Sequence, residues 1–313
     1  MDLFIGRMRG RGYAYEGNGP GTIRHQLAAL LDERRIPGRP LVTQEVAEEW
    51  IARRGDESED TRYARWSTLH LFTEFLVTEG LGEGCYFLPL ETKPARNPRF
   101  TPYIFTHAEI ERLTDAFDTI RPRGSSPAHI VKPAMFRTIY GCGLRNSEAR
   151  LLDLSHADLE AGVLSIVGTK NNADRYVPMS ESLTEYLRGY VDKLGIESGP
   201  LFPGPGGAPY SPNNVLWTFQ QQCERAGIVN HEGKPPRVHD ARHAFAVHSL
   251  QAAIDAGTPS YAFLPVLATY MGHKNIKDTE YYLHLTLEGQ KRAIDLMEAA
   301  YGPSLYPEVI FDV

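Results

Sequence analysis

Between Pro89 and Phe105 the chain reads PLETKPARNPRFTPYIF, four prolines in seventeen residues with no apolar period. Proline fixes φ, lacks an amide donor and drives the residue before it out of the helical region, so neither a helix nor a central strand can run through such a stretch. The composition is that of a linker. It divides the 313 residues into two separately folded parts, as a chain of this length favours in any case. Each part has apolar residues enough for a core, because 42% of the chain is hydrophobic and 23% charged.

Upstream of the linker, residues 1–20 are rich in Gly and Arg and read as a flexible arm. From Thr22 the pattern changes. Ile23, Leu27, Leu30 and Leu31 fall at helical spacing, Thr43 can cap a helix that ends at Gly55, and Tyr63, Trp66, Leu69, Phe72, Phe75 and Leu76 form the apolar face of a third helix stopped at Gly80. Residues 21–88 are therefore expected to be a small helical domain, 89–105 a linker and 106–313 a larger domain. The larger domain opens on a capping box, Thr106 with Glu109, and continues through a second apolar helix, KPAMFRTIYGCG, broken by Gly141 and Gly143. In VLSIVGTKNNADRYVPM two Val/Ile-rich runs flank a polar turn, which predicts a β-hairpin. Helical patterns resume after it, the last being EGQKRAIDLMEAAYG. The expected class is mainly α with one small β-hairpin or sheet, an α+β chain in two domains.

The three cysteines, Cys85, Cys142 and Cys223, are far apart and form no Cys-x-x-Cys pair, which suits a reducing cytoplasm. No apolar run is long enough for a signal peptide or a membrane span. The formal net charge of -6 weighs against a polyanionic partner unless positive charge is gathered locally. Two runs could do so, Arg7, Arg9 and Arg11, and Arg34, Arg35 and Arg39; either could equally be a solvated face.

Four clusters carry the chemistry, and each admits a second, plainer reading. In GCGLRNSEARLLDL, Arg145 enters a helix after two glycines and can offer a guanidinium beside helix N-terminal amides to a phosphate, or simply pair with Glu148. Lys170 at the hairpin tip can reach a nucleic-acid groove and give up its proton when desolvated, or be a solvated turn lysine; Arg175 across the turn is a further candidate phosphate contact. In RVHDARHAFAVH, His239, Arg242 and His243 share a helical face. His239 and His243 have the i, i+4 spacing of a zinc helix, but the arginine between them repels a cation and no Glu follows the first His. His243 could also be a hydrogen-bonded core residue. In YMGHKNIKDTEYYLHL, His273 stands nine residues before Tyr282, a tyrosine that can be a nucleophile if cationic donors surround its electrophile, or else a packing residue like Tyr281.

In order and spacing the clusters together resemble the tyrosine recombinase (phage integrase) family. The matching residues are Gly143-Leu144-Arg145-Asn146-Ser147-Glu148, Lys170 on a hairpin, His239-Asp240-Ala241-Arg242-His243, Gly272-His273 and Tyr282-Leu283-His284. The resemblance covers roughly residues 100–290, and 21–88 resembles the family's helical core-binding domain. Ala241, Ala244 and Met271 depart from its usual residues, each a change of packing.

The resemblance implies a site-specific DNA recombinase or integrase. Tyr282 attacks the scissile phosphate to give a 3′-phosphotyrosine and a free 5′-hydroxyl. Arg145, Arg242, His239 and His273 stabilise the phosphorane, with no metal or other cofactor, and Lys170 protonates the leaving oxygen. His239 helps accept the tyrosine proton, while Glu148 and His243 orient the arginines. It also implies double-stranded DNA carrying specific sites as the partner, a tetramer on that DNA assembled through the C-terminal helix, and no membrane. The short N-terminal part and Leu264-Pro265-Val266-Leu267 point toward a transposon-type mobile element. A type IB topoisomerase, a telomere resolvase or a catalytically silent DNA-binding relative stand as alternatives.

Overall fold

The computed structural model describes residues 1–11, 22–89, 91, 102–168, 174–273 and 275–286. Two compact units divide the chain, Met1–Phe100 and Thr101–Val313.

The first unit is helical. α1 (Asp2–Gly10), α2 (Ile23–Glu33), α3 (Gln44–Ile51) and α4 (Glu59–Thr78) enclose a core that includes Leu27, Trp50, Leu69 and Phe72. Three helices begin where a hydroxyl can accept an orphan amide: Thr22 from His25, Thr43 from Val46 and Ser58 from Thr61, each at 3.2–3.3 Å. α3 ends at Ile51, four residues before Gly55, and Gly80 follows α4 in the left-handed region at φ 71°.

The reading of residues 1–20 as an arm needs correction over its first half. Phe4, Ile5 and Met8 are buried, and Phe4 meets Phe72 and Phe75 edge-on with centroids 5.3 and 5.5 Å apart. The Gly and Arg content hid a one-face pattern at i, i+1 and i+4. Arg7, in the basic run, pairs with Glu79. Residues 12–20 lie outside the described residues. The buried Arg65 of α4 ties the unit together, pairing with Glu57 and donating to the carbonyls of Trp50 and Ala52, while Trp50 Nε1 donates to the Arg65 carbonyl at 2.8 Å.

The second unit begins within the stretch read as linker. Phe105 is fully buried in its core, and the Tyr103 hydroxyl donates to Glu109 at 2.6 Å. An apolar aromatic pair at the end of the proline run supplies core; residues 90 and 92–101 lie outside the described residues. The Thr106–Glu109 capping box is present and starts α5 (His107–Asp118). α6 (Ala128–Gly141) and α7 (Asn146–Arg150) follow. Three antiparallel strands come next in the order β1-β2-β3: β1 (Ala157–Asp158), β2 (Val163–Ile166) and β3 (Arg175–Pro178), with Val163 opposite Pro178 and Ile166 opposite Arg175. The two-residue β1 is too short to leave a period in the sequence. α8 (Glu181–Leu194), α9 (Pro212–Arg225), α10 (Val238–Asp255), α11 (Ser260–Met271) and α12 (Lys277–Leu283) complete the unit. Its main core joins α5, α6, α8 and the sheet through residues such as Leu113, Ile139, Leu164 and Leu187; a second packs Leu250, Leu267, Met271 and Tyr282 between α10, α11 and α12. The mainly helical class with one small antiparallel sheet is as expected from the sequence. Among the described residues no helix is long and apolar enough to cross a membrane.

Candidate active site

α6 stops where Gly143 takes φ 58°, and the chain turns at once into α7. A Cβ at position 143 would stand 2.4 Å from Cδ1 of Phe245, so this turn can press against α10 only without a side chain. The turn sets Arg145 at the start of α7. Glu148, three residues on, accepts the Arg145 amide at 2.9 Å and its Nη1 at 2.6 Å. Arg175 lays both terminal nitrogens on the same carboxylate, at 3.0 and 2.9 Å, and donates Nε to the Tyr270 carbonyl at 2.8 Å. Arg242 stands 3.8 Å from Glu148 and donates to the carbonyls of Gly143 (2.6 Å) and Met271 (2.5 Å).

One carboxylate, with a side chain 5% exposed, thus gathers three guanidinium groups. Burial alone would lift the Glu148 carboxyl, but the bonds from Arg175 and Arg145 outweigh it and hold the group down at about 2. Burial, with the charge of Arg145, draws Arg242 down to about 9. The left-handed Gly272 that ends α11 completes the frame. Its carbonyl accepts Arg145 Nη2 at 3.2 Å, and a Cβ there would meet Arg175 Nη1 at 3.0 Å.

Tyr282 lies beside this frame on α12 and is 3% exposed. Its hydroxyl is 2.9 Å from Nδ1 of His243. The His239 ring meets that of His243 edge-on with centroids 4.6 Å apart, and His239 itself is exposed to solvent. His273, directly after Gly272, stacks 6.1 Å from Tyr282 and shares a 2.8 Å hydrogen bond with the Thr279 hydroxyl. Burial depresses His243 and His273 to about 3, helped by His239 in the first case and by Arg242 in the second, so both rings are neutral near pH 7. A neutral ring with its proton on Nε2 accepts the Tyr282 O–H at Nδ1. Burial raises the Tyr282 phenol to about 12, partly offset by Arg242 and Arg145. Tyr281, one residue back, is half-buried and turned about 100° around the helix.

The structure therefore brings together Arg145, Glu148, His239, Arg242, His243, His273 and Tyr282, with Arg175, the candidate phosphate contact, beside them on Glu148. Lys170 lies outside the described residues, as does the whole of the C-terminal helix expected after Tyr282. Arg34, Arg35 and Arg39 belong to the other unit. Arg34 is forked onto Glu49 at 3.0 and 2.9 Å, while Arg35 and Arg39 are exposed, with no ion pair among the described residues. Two features escaped the sequence reading. The side chain in contact with the Tyr282 hydroxyl is that of His243, not His239. Arg175 is 6% exposed at its side chain and spent on Glu148 instead of facing outward; its alternation with the buried Val177 was the available signal. Among the described residues no three His, Cys, Asp or Glu side chains converge as metal ligands, and the Glu148 oxygens are already taken by arginines.

Comparison with known proteins converges on one family. The profile of the phage integrase family matches residues 104–288. A protein of Sinorhizobium fredii named as an integrase/recombinase is 30% identical over 295 residues, covering 90% of each chain, and a second of the same organism is 29% identical over 307 residues, covering 94% of this chain and 95% of its own. Tyrosine recombinase XerC of Halalkalibacterium halodurans is 31% identical over 230 residues, 70% of this chain and 69% of that one. Among solved structures, the Tn1549 transposon integrase in complex with transposon right end DNA superposes with a TM-score of 0.59 at 18% identity, covering 95% of this chain and 98% of that one; XerH recombinase bound to its difH substrate gives 0.57 at 18% identity over 82% and 70%. The chain belongs to the phage integrase family of tyrosine recombinases, enzymes of site-specific DNA recombination.

Proposed function

We propose that this recombinase cuts and rejoins DNA through Tyr282. The observation that carries the assignment is the placement of its hydroxyl, hydrogen-bonded to a neutral histidine and set beside Arg145, Arg242 and His273. The Tyr282 oxygen attacks the scissile phosphorus, the bond to the 5′-oxygen breaks, and a 3′-phosphotyrosine and a 5′-hydroxyl result. His243 takes the phenolic proton, and His239, whose ring packs against it, passes that proton on. Lys170 supplies a proton to the leaving oxygen. Arg145 and Arg242 donate to the nonbridging oxygens as charge builds on them, with His273 as a neutral donor. Glu148 and Arg175 hold the two arginines in place.

The reaction conserves the energy of the phosphodiester in the tyrosyl ester, so rejoining to another strand needs no nucleotide. The strands belong to specific recombination sites of a mobile element, the setting that the transposon integrase shares by name. Two duplexes must be held together for exchange, and a tetramer does so.

A suicide duplex, nicked so that the 5′ fragment diffuses away, tests the chemistry. Wild type should give a denaturant-resistant protein–DNA adduct on its own site, in EDTA as well as without it. Tyr282→Phe should bind the duplex and form none, and Tyr281→Phe should form it normally. An adduct that survives in the first variant and is lost in the second would overturn the assignment.

A further inference from the structure

Away from the arginine frame, the loop between α5 and α6 and the outer face of α9 enclose a cavity of about 880 Å³ that shares no residue with the Tyr282 site. Four cations line it: Arg121 and Arg123 from the loop, Lys132 from α6 and Arg225 from α9. None of its lining residues is an Asp or Glu, and among the described residues none of the four takes part in an ion pair. In a chain whose net charge is -6 this is an exception. Elsewhere in the second unit Arg137 is matched to Asp118 and Arg175 to Glu148, while Arg150 and Arg188 donate to backbone carbonyls. Lys132 is the most constrained of the four. It is half-buried, its Nζ donates to the Thr218 hydroxyl at 2.7 Å, and it sits 5.5 Å from the Tyr210 ring centre. Burial and the charge of Arg123 both disfavour its ammonium form. The cavity holds like charges together at a cost that an anionic occupant would remove.

We propose that this cavity is a second DNA contact, taking backbone phosphates of duplex outside the scissile position. The occupant is a polyanion because the cations come from two walls and no acid balances them. It is a duplex backbone because the chain acts on DNA, a reading on which the inference rests. Trp217, 57% exposed at the cavity wall, gives the rim an apolar face for deoxyribose. Arg121, Arg123 and Arg225 are exposed and flexible enough to follow a backbone, while Lys132, anchored by Thr218, fixes the register.

Salt dependence reads the contact directly. Each phosphate neutralised contributes roughly 0.9 to the slope of log K against log salt, so Arg121→Gln/Arg123→Gln in the full chain should lower that slope by about 1.8 and weaken duplex binding on the order of 10- to 100-fold at 0.1 M salt, alike for cognate and unrelated sequences. Both arginines are on an exposed loop, and an unchanged thermal midpoint would verify folding. Arg188→Gln serves as the control, because Arg188 donates to the carbonyls of Leu159 and Glu160 outside the cavity; its slope should equal that of wild type. A double variant with the wild-type slope and affinity overturns the inference while wild-type adduct formation keeps the recombinase reading intact; wild type that neither binds nor forms adduct fails that reading instead. Stabilisation by inorganic pyrophosphate that is lost in the double variant, with no change in DNA slope, would mark a small-anion site and equally overturn the assignment to DNA.

Discussion

Glu148 is the residue whose removal the structure prices most clearly. Its carboxylate, 5% exposed, bonds Arg145 and Arg175 and stands 3.8 Å from Arg242. Glu148→Gln keeps the shape and deletes the charge. The carboxyl is held at about 2 in the fold against an ordinary value of 4.5. A group depressed in this way adds stability that is fully present above its unfolded value and is lost as pH falls through the folded one. By linkage the contribution is about 3 kcal/mol at pH 7 and about 1.4 kcal/mol at pH 3. This agrees in size with the 3–5 kcal/mol, roughly, for breaking one side of a buried ion pair. Urea unfolding of the second unit, followed by circular dichroism, should show Glu148→Gln less stable by about 3 kcal/mol at pH 7, or some 6–12 °C lower in melting temperature. The gap to wild type should be constant from pH 8 to 6 and narrow below about pH 4.5. Equal midpoints at pH 7, or a gap that stays constant down to pH 3, would refute the view that one carboxylate organises the three arginines.

Other outcomes follow from the same geometry. His243→Ala should slow adduct formation roughly 10²–10⁴-fold without weakening DNA binding, as expected for loss of a proton acceptor, and an unchanged rate on the suicide duplex would remove His243 from the reaction. Because His243 and His273 are held near 3 in the fold, below the ordinary 6.5, their stabilising contribution is complete above pH 6.5 and declines as pH falls toward 3; potentiometry at pH 5 should find about two protons taken up by them on unfolding. Gly143→Ala should cost about 1–3 kcal/mol, from its left-handed φ and the collision with Phe245, measurable as a lowered thermal midpoint. Arg65→Met in the first unit leaves Glu57 buried without its partner and should cost about 3–5 kcal/mol, part of which Glu57→Gln in the same chain should restore.

Much of this was legible in the sequence, where local chemistry decides the outcome. Thr43 and Thr106 cap helices because the hydroxyl satisfies an amide within three residues, a rule with no tertiary term. The recombinase residues could be found because their order along the chain is diagnostic even though their positions in space are not. What the sequence concealed depends on partners far along the chain. Arg175 looks like a turn arginine until Glu148, 27 residues away, is found beneath it. His243 and His239 share a helical face and one residue type, and only α12, which arrives 39 residues after His243, decides which of them meets the tyrosine. α1 was misread because its apolar stripe spans only Phe4, Ile5 and Met8, and Gly and Arg dominate so short a window.

The arginine frame has a consequence in simple charge counting. Three guanidinium groups around one carboxylate leave two positive charges unmatched. A phosphodiester brings one negative charge and its pentacoordinate state brings two. In the proposed reaction the phosphodiester leaves the arginine frame, counted without Lys170 and the proton that His243 takes, with one positive charge over, and the phosphorane leaves it with none. A site with this imbalance favours the state between two DNA strands over either strand on its own, so the same count lowers the barrier for cutting and for resealing.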